Sequence, residues 1–549
     1  MNKHLKVILL YSIIFLTSFI WMYSLTYNFN FFWEDSYIIG SYNIVAHDPN
    51  QYTFPKLLLL FLDTIIAPEQ FYSLAYGWKP IQEEFIYLFL AGTISENILL
   101  YRFLKASLFG FFIVLSFCFF YQLKNAFSSE NILSKPFSFH DILIPLLSCA
   151  YLLVLPSFWT MTLYLQDTLL LTITFATVAL VLFYLFYNND TLQNTFLLGI
   201  LLFFIVFFTE LSILTKHVGR LNVMIIFFFL LFTNKKKIFT MRYGILLLLL
   251  FSISFPILGF FDILSGKPLL EILGISSHMG IEGQAATRIF FIALQFITTL
   301  PYAFFPQAIF LLFCFLLFFV LHLYTLFSGQ KGEYTQDTER LSSLSFFSLF
   351  WFLFAALSLF IARGFVFDPL FFTRFERSLF QVPQALFLIT YSLFVYKRYY
   401  STKKILHYVI LLFLILSIGH NLIRLNESRG GWGAYFLGYD TVRQYLDEYE
   451  ENALLLLPMD HSSPLYFVPP STNKHLMITD LTNSTVLHSF QQNYSAVYIA
   501  NRYPLVFDDL SIVNLANLTI KDSSPYGIFK KTIGHYYPTP MYLYKVTKD

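Results

Sequence analysis

Residues 168–187 read TLLLTITFATVALVLFYLFY, a run without a charged side chain. At 1.5 Å of rise per residue, about 20 apolar residues of helix cover the roughly 30 Å hydrocarbon core of a bilayer. The run therefore reads as a membrane-spanning helix, and the composition around it agrees. Of 549 residues, 57% are hydrophobic, 20% aromatic and only 12% charged. A soluble domain carries about 25% charge, so an ordinary soluble protein is excluded, and the apolar excess excludes disorder. A formal net charge of +2 leaves no basic domain, so no nucleic-acid partner is expected. The chain reads as an all-α polytopic membrane protein.

Worked outward from 168–187, the length rule gives about eleven spans. They lie near 5–24, 101–122, 140–157, 168–187, 194–210, 219–233, 243–261, 304–327, 342–362, 379–396 and 404–422. Lys3 and Lys6 precede the first apolar run, and no small-residue cleavage signature follows it, which favours a retained helix over a signal peptide. Lys124 and Lys135, Lys235 to Lys237 with Arg242, Lys331 with Arg340, and Lys397 to Lys404 fall on the side shared by the N-terminal lysines. By the positive-inside rule that side is cytoplasmic. An odd number of spans then places residues 423–549 outside, after a membrane domain over 1–422.

Three outer segments exceed a turn. Residues 25–100 contain KLLLLFLDTIIAP, too short to span and interrupted by Asp63, so an interfacial helix is expected. Residues 262–303 end in RIFFIALQFITTLP, which reads the same way. Residues 423–549 are richer in charge, and a small α/β extracytoplasmic domain fits their length. There VRQYLDEYEENALLLLP reads as a helix running into a strand, and YSAVYIAN and MYLYKVTKD alternate like strands. The two halves of the membrane part do not mirror each other, unlike the paired halves of many alternating-access carriers.

Cys118, Cys149 and Cys314 all stand in apolar runs without metal-ligand spacing, and His461, His475 and His488 have no ligand spacing either. No metal site is read from them. The Asn-X-Ser/Thr triplets at Asn426, Asn483, Asn493 and Asn517 arise easily in a polar tail and carry no assignment.

The chemistry-bearing residues gather on the outer side. In FFWEDSYIIGSYNIVAHDP, Glu34 and Asp35 follow the first span among Phe31, Phe32, Trp33 and Tyr37. At a membrane boundary one such carboxylate can take up a proton while its neighbour stays charged; alone, the pair would equally serve as a helix cap with Ser36. Asp167 opens the fourth span, where a helix N-terminus already favours an acid. Lys216, His217 and Arg220 occupy the turn TELSILTKHVGR, on the face that the positive-inside rule depletes of cations. Arg363, Arg374 and Arg377 share a later turn with Asp368 and Glu376, whose ion pairing accounts for one arginine more readily than for all. Carboxylates from one loop and cations from two turns suit a reaction in which a hydroxyl attacks and a phosphate leaves.

WEDSYIIGSYNIVAHDP resembles the first-loop motif of multispanning glycosyltransferases of the GT-C class. YRFLKASLFGFFIVLSFCFFYQLKN is similar to their second span, LPSFWTMTLYLQDTLLL to their Pro-aromatic turn before an Asp, and FFTELSILTKHVGR to their Thr-Lys turn. FTRFERSLFQVPQALFL resembles their late Arg-then-Pro entry. The likeness follows the right order over the membrane part and is closest to protein O-mannosyltransferases and lipid A aminoarabinose transferases. It departs at His217-Val218, where the family has a Gly after the turn lysine, and at the residue after the late arginine.

The resemblance implies transfer of a sugar from a polyprenyl-phosphate donor to a lipid, glycan or protein acceptor outside the membrane. Asp35 would be the catalytic base, with Glu34 the adjacent candidate. Lys216, Arg220 and either Arg374 or Arg377 would hold the donor phosphate, supported by Asp167 and His217. No cofactor is implied beyond a divalent cation at the acidic pair, which some members use and others do not. A transporter or flippase would place polar groups in mid-span, and a polysaccharide polymerase would carry its large loop late; both fit less well. A bacterial inner membrane is the expected location.

Overall fold

The computed structural model describes residues 3–27, 98–127, 139–163, 169–188, 195–215, 219, 221–233, 238–254, 408, 411–423, 425–426, 453–458, 475–479, 494–501, 512–518 and 541–546. Helices α1 (Lys3–Thr26), α2 (Ile98–Phe127), α3 (Phe139–Leu153) and α4 (Pro156–Leu163) come first in chain order. They are followed by α5 (Leu169–Asn188), α6 (Thr195–Thr215), α7 (Leu221–Thr233) and α8 (Met241–Ser254), with α9 at Leu411–Ile423. Four stretches are long and apolar enough to cross a membrane: Val7–Thr26, Arg102–Tyr121, Leu170–Tyr187 and Phe196–Ile213. They mark the chain as an integral membrane protein and coincide with the first, second, fourth and fifth expected spans. Shorter helices α7, α8 and α9 occupy the positions expected for 219–233, 243–261 and 404–422. The expected spans at 304–327, 342–362 and 379–396 lie outside the described residues, as do the two interfacial segments.

One expected helix is divided. The run over 140–157 forms α3 and α4, separated by Val154 and Leu155. Pro156 has no N–H to continue α3, but its fixed φ suits the first position of a new helix. The Leu155 amide donates to the Leu152 carbonyl (3.3 Å) and the Phe158 amide to that of Leu155 (3.1 Å), closing the corner.

Hydroxyls inside these helices bond to their own backbone one turn earlier. Ser18 donates to Ile14, Ser116 to Phe112, Thr162 to Phe158, Thr177 to Ile173 and Thr209 to Ile205, at 2.7 to 2.9 Å. Polar side chains are thereby accommodated in apolar surroundings. Packing between helices is largely aromatic. Phe19 meets Phe103 edge-on at 5.0 Å across α1 and α2, Phe112 meets Phe158 at 5.1 Å across α2 and α4, and Tyr184 meets Phe229 at 5.3 Å across α5 and α7. Leu5, Ile8, Leu9, Ile13, Leu16 and Ile20 of α1 are exposed, as an apolar face in lipid can be.

Gly110 sets the approach of α2 to α1, because a Cβ there would lie 3.2 Å from the Phe15 ring and carbonyl oxygen. Gly110→Leu is expected to separate the helices and to lower stability by about 1–3 kcal/mol, as overpacking does. Thermal unfolding in detergent checks this, with Gly110→Ala as the smaller step.

A five-stranded sheet is built from β1 (Ala453–Pro458), β2 (His475–Thr479), β3 (Ala496–Asn501), β4 (Ile512–Leu518) and β5 (Met541–Val546). Its order is β2-β1-β3-β5-β4, with β1 parallel to β2 and β3, and β5 antiparallel to β3 and β4. The strands expected in ALLLLP, YSAVYIAN and MYLYKVTKD are β1, β3 and β5; the helix expected before β1 lies outside the described residues. Val497, Tyr498 and Ile499 are all buried. Successive strand residues face opposite ways, so both faces of the sheet are covered at β3.

Candidate functional site

Helix C-termini leave carbonyls without intrahelical donors. Here side chains from neighbouring helices reach several of them. The Trp159 indole of α4 donates to the Leu25 carbonyl of α1 (3.1 Å), and the Trp21 indole of α1 donates to the Leu153 carbonyl of α3 (3.0 Å). Arg102, in the second turn of α2, donates through Nη1 to the Thr162 carbonyl of α4 (3.3 Å). These bonds bring the end of α1, the start of α2 and the whole of α4 to one end of the bundle.

The same end holds the start of α5, the end of α6 and the start of α7. Ser212 Oγ of α6 donates to the Thr172 carbonyl in the first turn of α5 (3.1 Å). Asn222 Nδ2 of α7 donates to Thr209 Oγ1 of α6 (3.4 Å), and Thr209, Ser212, Thr215 and Asn222 are all buried. Gly219 lies directly on Ser212: an added Cβ would sit 2.4 Å from its carbonyl carbon and oxygen.

The opposite end is marked by Arg242 at the start of α8. Its guanidinium donates to the Phe186 carbonyl near the end of α5 and stacks 4.1 Å above the Phe186 ring. A cation there complements the negative pole of α5 and the face of the ring.

Segments bearing much of the sequence-read chemistry join helices at the first end. Glu34 and Asp35 follow Tyr27 after α1, Asp167 lies between α4 and α5, and Lys216, His217 and Arg220 flank Gly219 between α6 and α7. Those residues themselves, with Arg374 and Arg377, lie outside the described residues. Helix ends are thus brought together; side-chain geometry among the expected site residues is not described.

Two cations escaped the sequence reading as candidates. Arg102 is fully buried and Lys105 is 4% exposed. Three positions apart on α2, they share one helix face. A guanidinium and an ammonium removed from water are suited to holding an anionic group. The readable signal was RFLK at the start of an expected span. Among the described residues no group of three or more His, Cys, Asp or Glu is placed to hold a metal ion; the acidic pair tied to a divalent cation lies outside them. No protein-family model and no curated protein matches the chain.

Proposed function

We propose that this integral membrane protein is a glycosyltransferase, moving a sugar from a polyprenyl-phosphate donor to an extracytoplasmic acceptor. The observation that carries the reading is the gathering at one bundle end of the helix termini that lead to Glu34 and Asp35, to Asp167, and to Lys216, His217 and Arg220. Arg102 and Lys105 add two buried cations there. The acceptor oxygen attacks the anomeric carbon, Asp35 takes its proton, and the bond from that carbon to the phosphate oxygen breaks with inversion. The leaving phosphate keeps the bonding electron pair, and Lys216 with an arginine stabilises that charge. Buried cations at a span's end, not in mid-span, favour this reading over a translocation pathway.

The finer architecture belongs to the same proposal. It comprises about eleven spans on the length rule, a cytoplasmic N-terminus, an α/β domain over 423–549 on the extracytoplasmic side, and residence in a bacterial inner membrane. Donor phosphate also meets Arg220 and Arg374 or Arg377 in this scheme, with His217 in support.

The test is release of free polyprenyl phosphate from a membrane lipid extract of verified donor content, using the purified full-length protein. Time-dependent release that falls about 10²-fold in Lys216→Ala supports the reading. No release from the folded wild type overturns it.

A further inference from the structure

Arg102 and Lys105 open the buried face of α2. Ala106, Phe109 and Ile113 continue that face, while Phe103 and Leu104, between the two cations, are exposed. α2 packs against α1, α4 and α5. One turn on from Lys105 the Phe109 ring meets that of Phe158 in α4 at 5.6 Å, so the cations border an apolar core.

Two enclosed like charges one turn apart repel each other, and burial makes each costlier than it is in water. The Thr162 carbonyl takes up one donor of the five on a guanidinium, and it supplies only a partial charge. An anion balances the arrangement, and a group with two negative charges balances it best.

Transfer from a polyprenyl-phosphate donor creates such a group. In the donor the phosphate is a diester, joined to sugar and to lipid, and carries a single negative charge. The acceptor oxygen attacks the anomeric carbon, and the bond from that carbon to the phosphate oxygen breaks. The phosphate oxygen keeps the electron pair, and the acceptor's proton goes to Asp35. The product is a monoester, with a charge of about −1.5 to −2 at neutral pH.

We infer that Arg102 and Lys105 form a site for the phosphate monoester of a polyprenyl phosphate, and that they hold this product more tightly than the diester donor. The naming of product and donor rests on the transferase reading; the preference for a monoester does not. A pair of cations that answers the second charge acts where that charge develops, and it then slows release of the product.

Two measurements on the purified full-length protein test this. In the first, thermal unfolding in detergent is followed with farnesyl phosphate, its methyl diester or inorganic phosphate. At equal concentration the monoester is expected to raise the unfolding temperature more than the diester. Lys105→Met is expected to weaken monoester binding by about ten- to a hundredfold, the worth of a hydrogen bond to a charged group, and to abolish the preference. Lys105→Arg keeps the charge and is expected to keep the preference. Equal stabilisation of wild type by monoester and diester overturns the inference and needs no variant to fold. A folded Lys105→Met with the wild-type preference also overturns it, and assigns the counter-charge of Lys105 to a carboxylate of the chain. Inorganic phosphate as effective as farnesyl phosphate overturns the lipid source.

In the second, both farnesyl compounds are added to wild type in the polyprenyl phosphate release assay. The monoester is expected to inhibit at a concentration about tenfold lower than the diester. Equal inhibition overturns the assignment of the pair to the product. Should wild type release nothing, the transferase reading fails, and the unfolding measurement alone decides whether the cations select a monoester.

Discussion

Asp35→Asn is expected to lower polyprenyl phosphate release by between about 10² and 10⁴-fold, the usual contribution of a positioned general base. Asparagine keeps the size and planarity of the side chain but cannot take the proton of the attacking hydroxyl. The protein should remain folded and monodisperse, so the loss falls on turnover. Glu34→Gln is the internal comparison, since the two carboxylates are adjacent. A small loss there with a large one at Asp35 places the base; the reverse moves it to Glu34. Equal release from wild type and both variants would remove the acidic pair from catalysis. A divalent cation at the pair would reveal itself separately, as activity lost with chelator and regained with added metal.

Trp159→Ala is expected to destabilise the protein by about 3–5 kcal/mol, the range for truncating a large core aromatic. The side chain is fully buried, and its indole serves a carbonyl in the last turn of α1. Trp159→Phe separates the two contributions. It keeps most of the ring packing and gives up the hydrogen bond to Leu25, for an expected loss of about 1 kcal/mol. Thermal unfolding in detergent reads both. Because α1 leads into the acidic segment, Trp159→Ala should also depress transfer at temperatures where the protein remains folded. A variant as stable as wild type would show that α4 does not brace α1.

Apolar runs announced α1, α2, α5 and α6 because crossing a bilayer is a demand on composition and length, both written directly in the chain. The division of 140–157 was signalled by Pro156, but hydropathy runs on through the corner and hides it. Strands β3 and β5 show themselves as short runs rich in apolar and aromatic residues. In β4 the register shifts between Asn514 and Ala516, and a bulge of that kind moves later side chains out of phase with earlier ones.

The proposed site rests on residue type and chain order, because its expected residues lie outside those described. Lys216 and His217 stand out in the sequence as basic residues between two apolar runs. That Gly219 presses on Ser212 depends on a neighbouring helix, as does the meeting of Arg102 with Thr162, 60 positions apart. Spacing along the chain does not contain such pairings. Lys105 was overlooked for a related reason: at the start of an apolar run it counts as a flank, and only packing shows it enclosed.

The way helix ends are served bears on how the protein is made. Ser18, Ser116, Thr177 and their like carry their acceptors with them, so each helix can enter the bilayer alone with those hydroxyls already satisfied. Among the described residues, the donor to the Leu25 carbonyl is an indole 134 residues later in the chain. At about 5–20 residues per second of synthesis, α1 waits on the order of ten seconds for Trp159. During that interval water or lipid headgroups must serve the carbonyl, which keeps this end of α1 at the bilayer surface until α4 arrives to displace them.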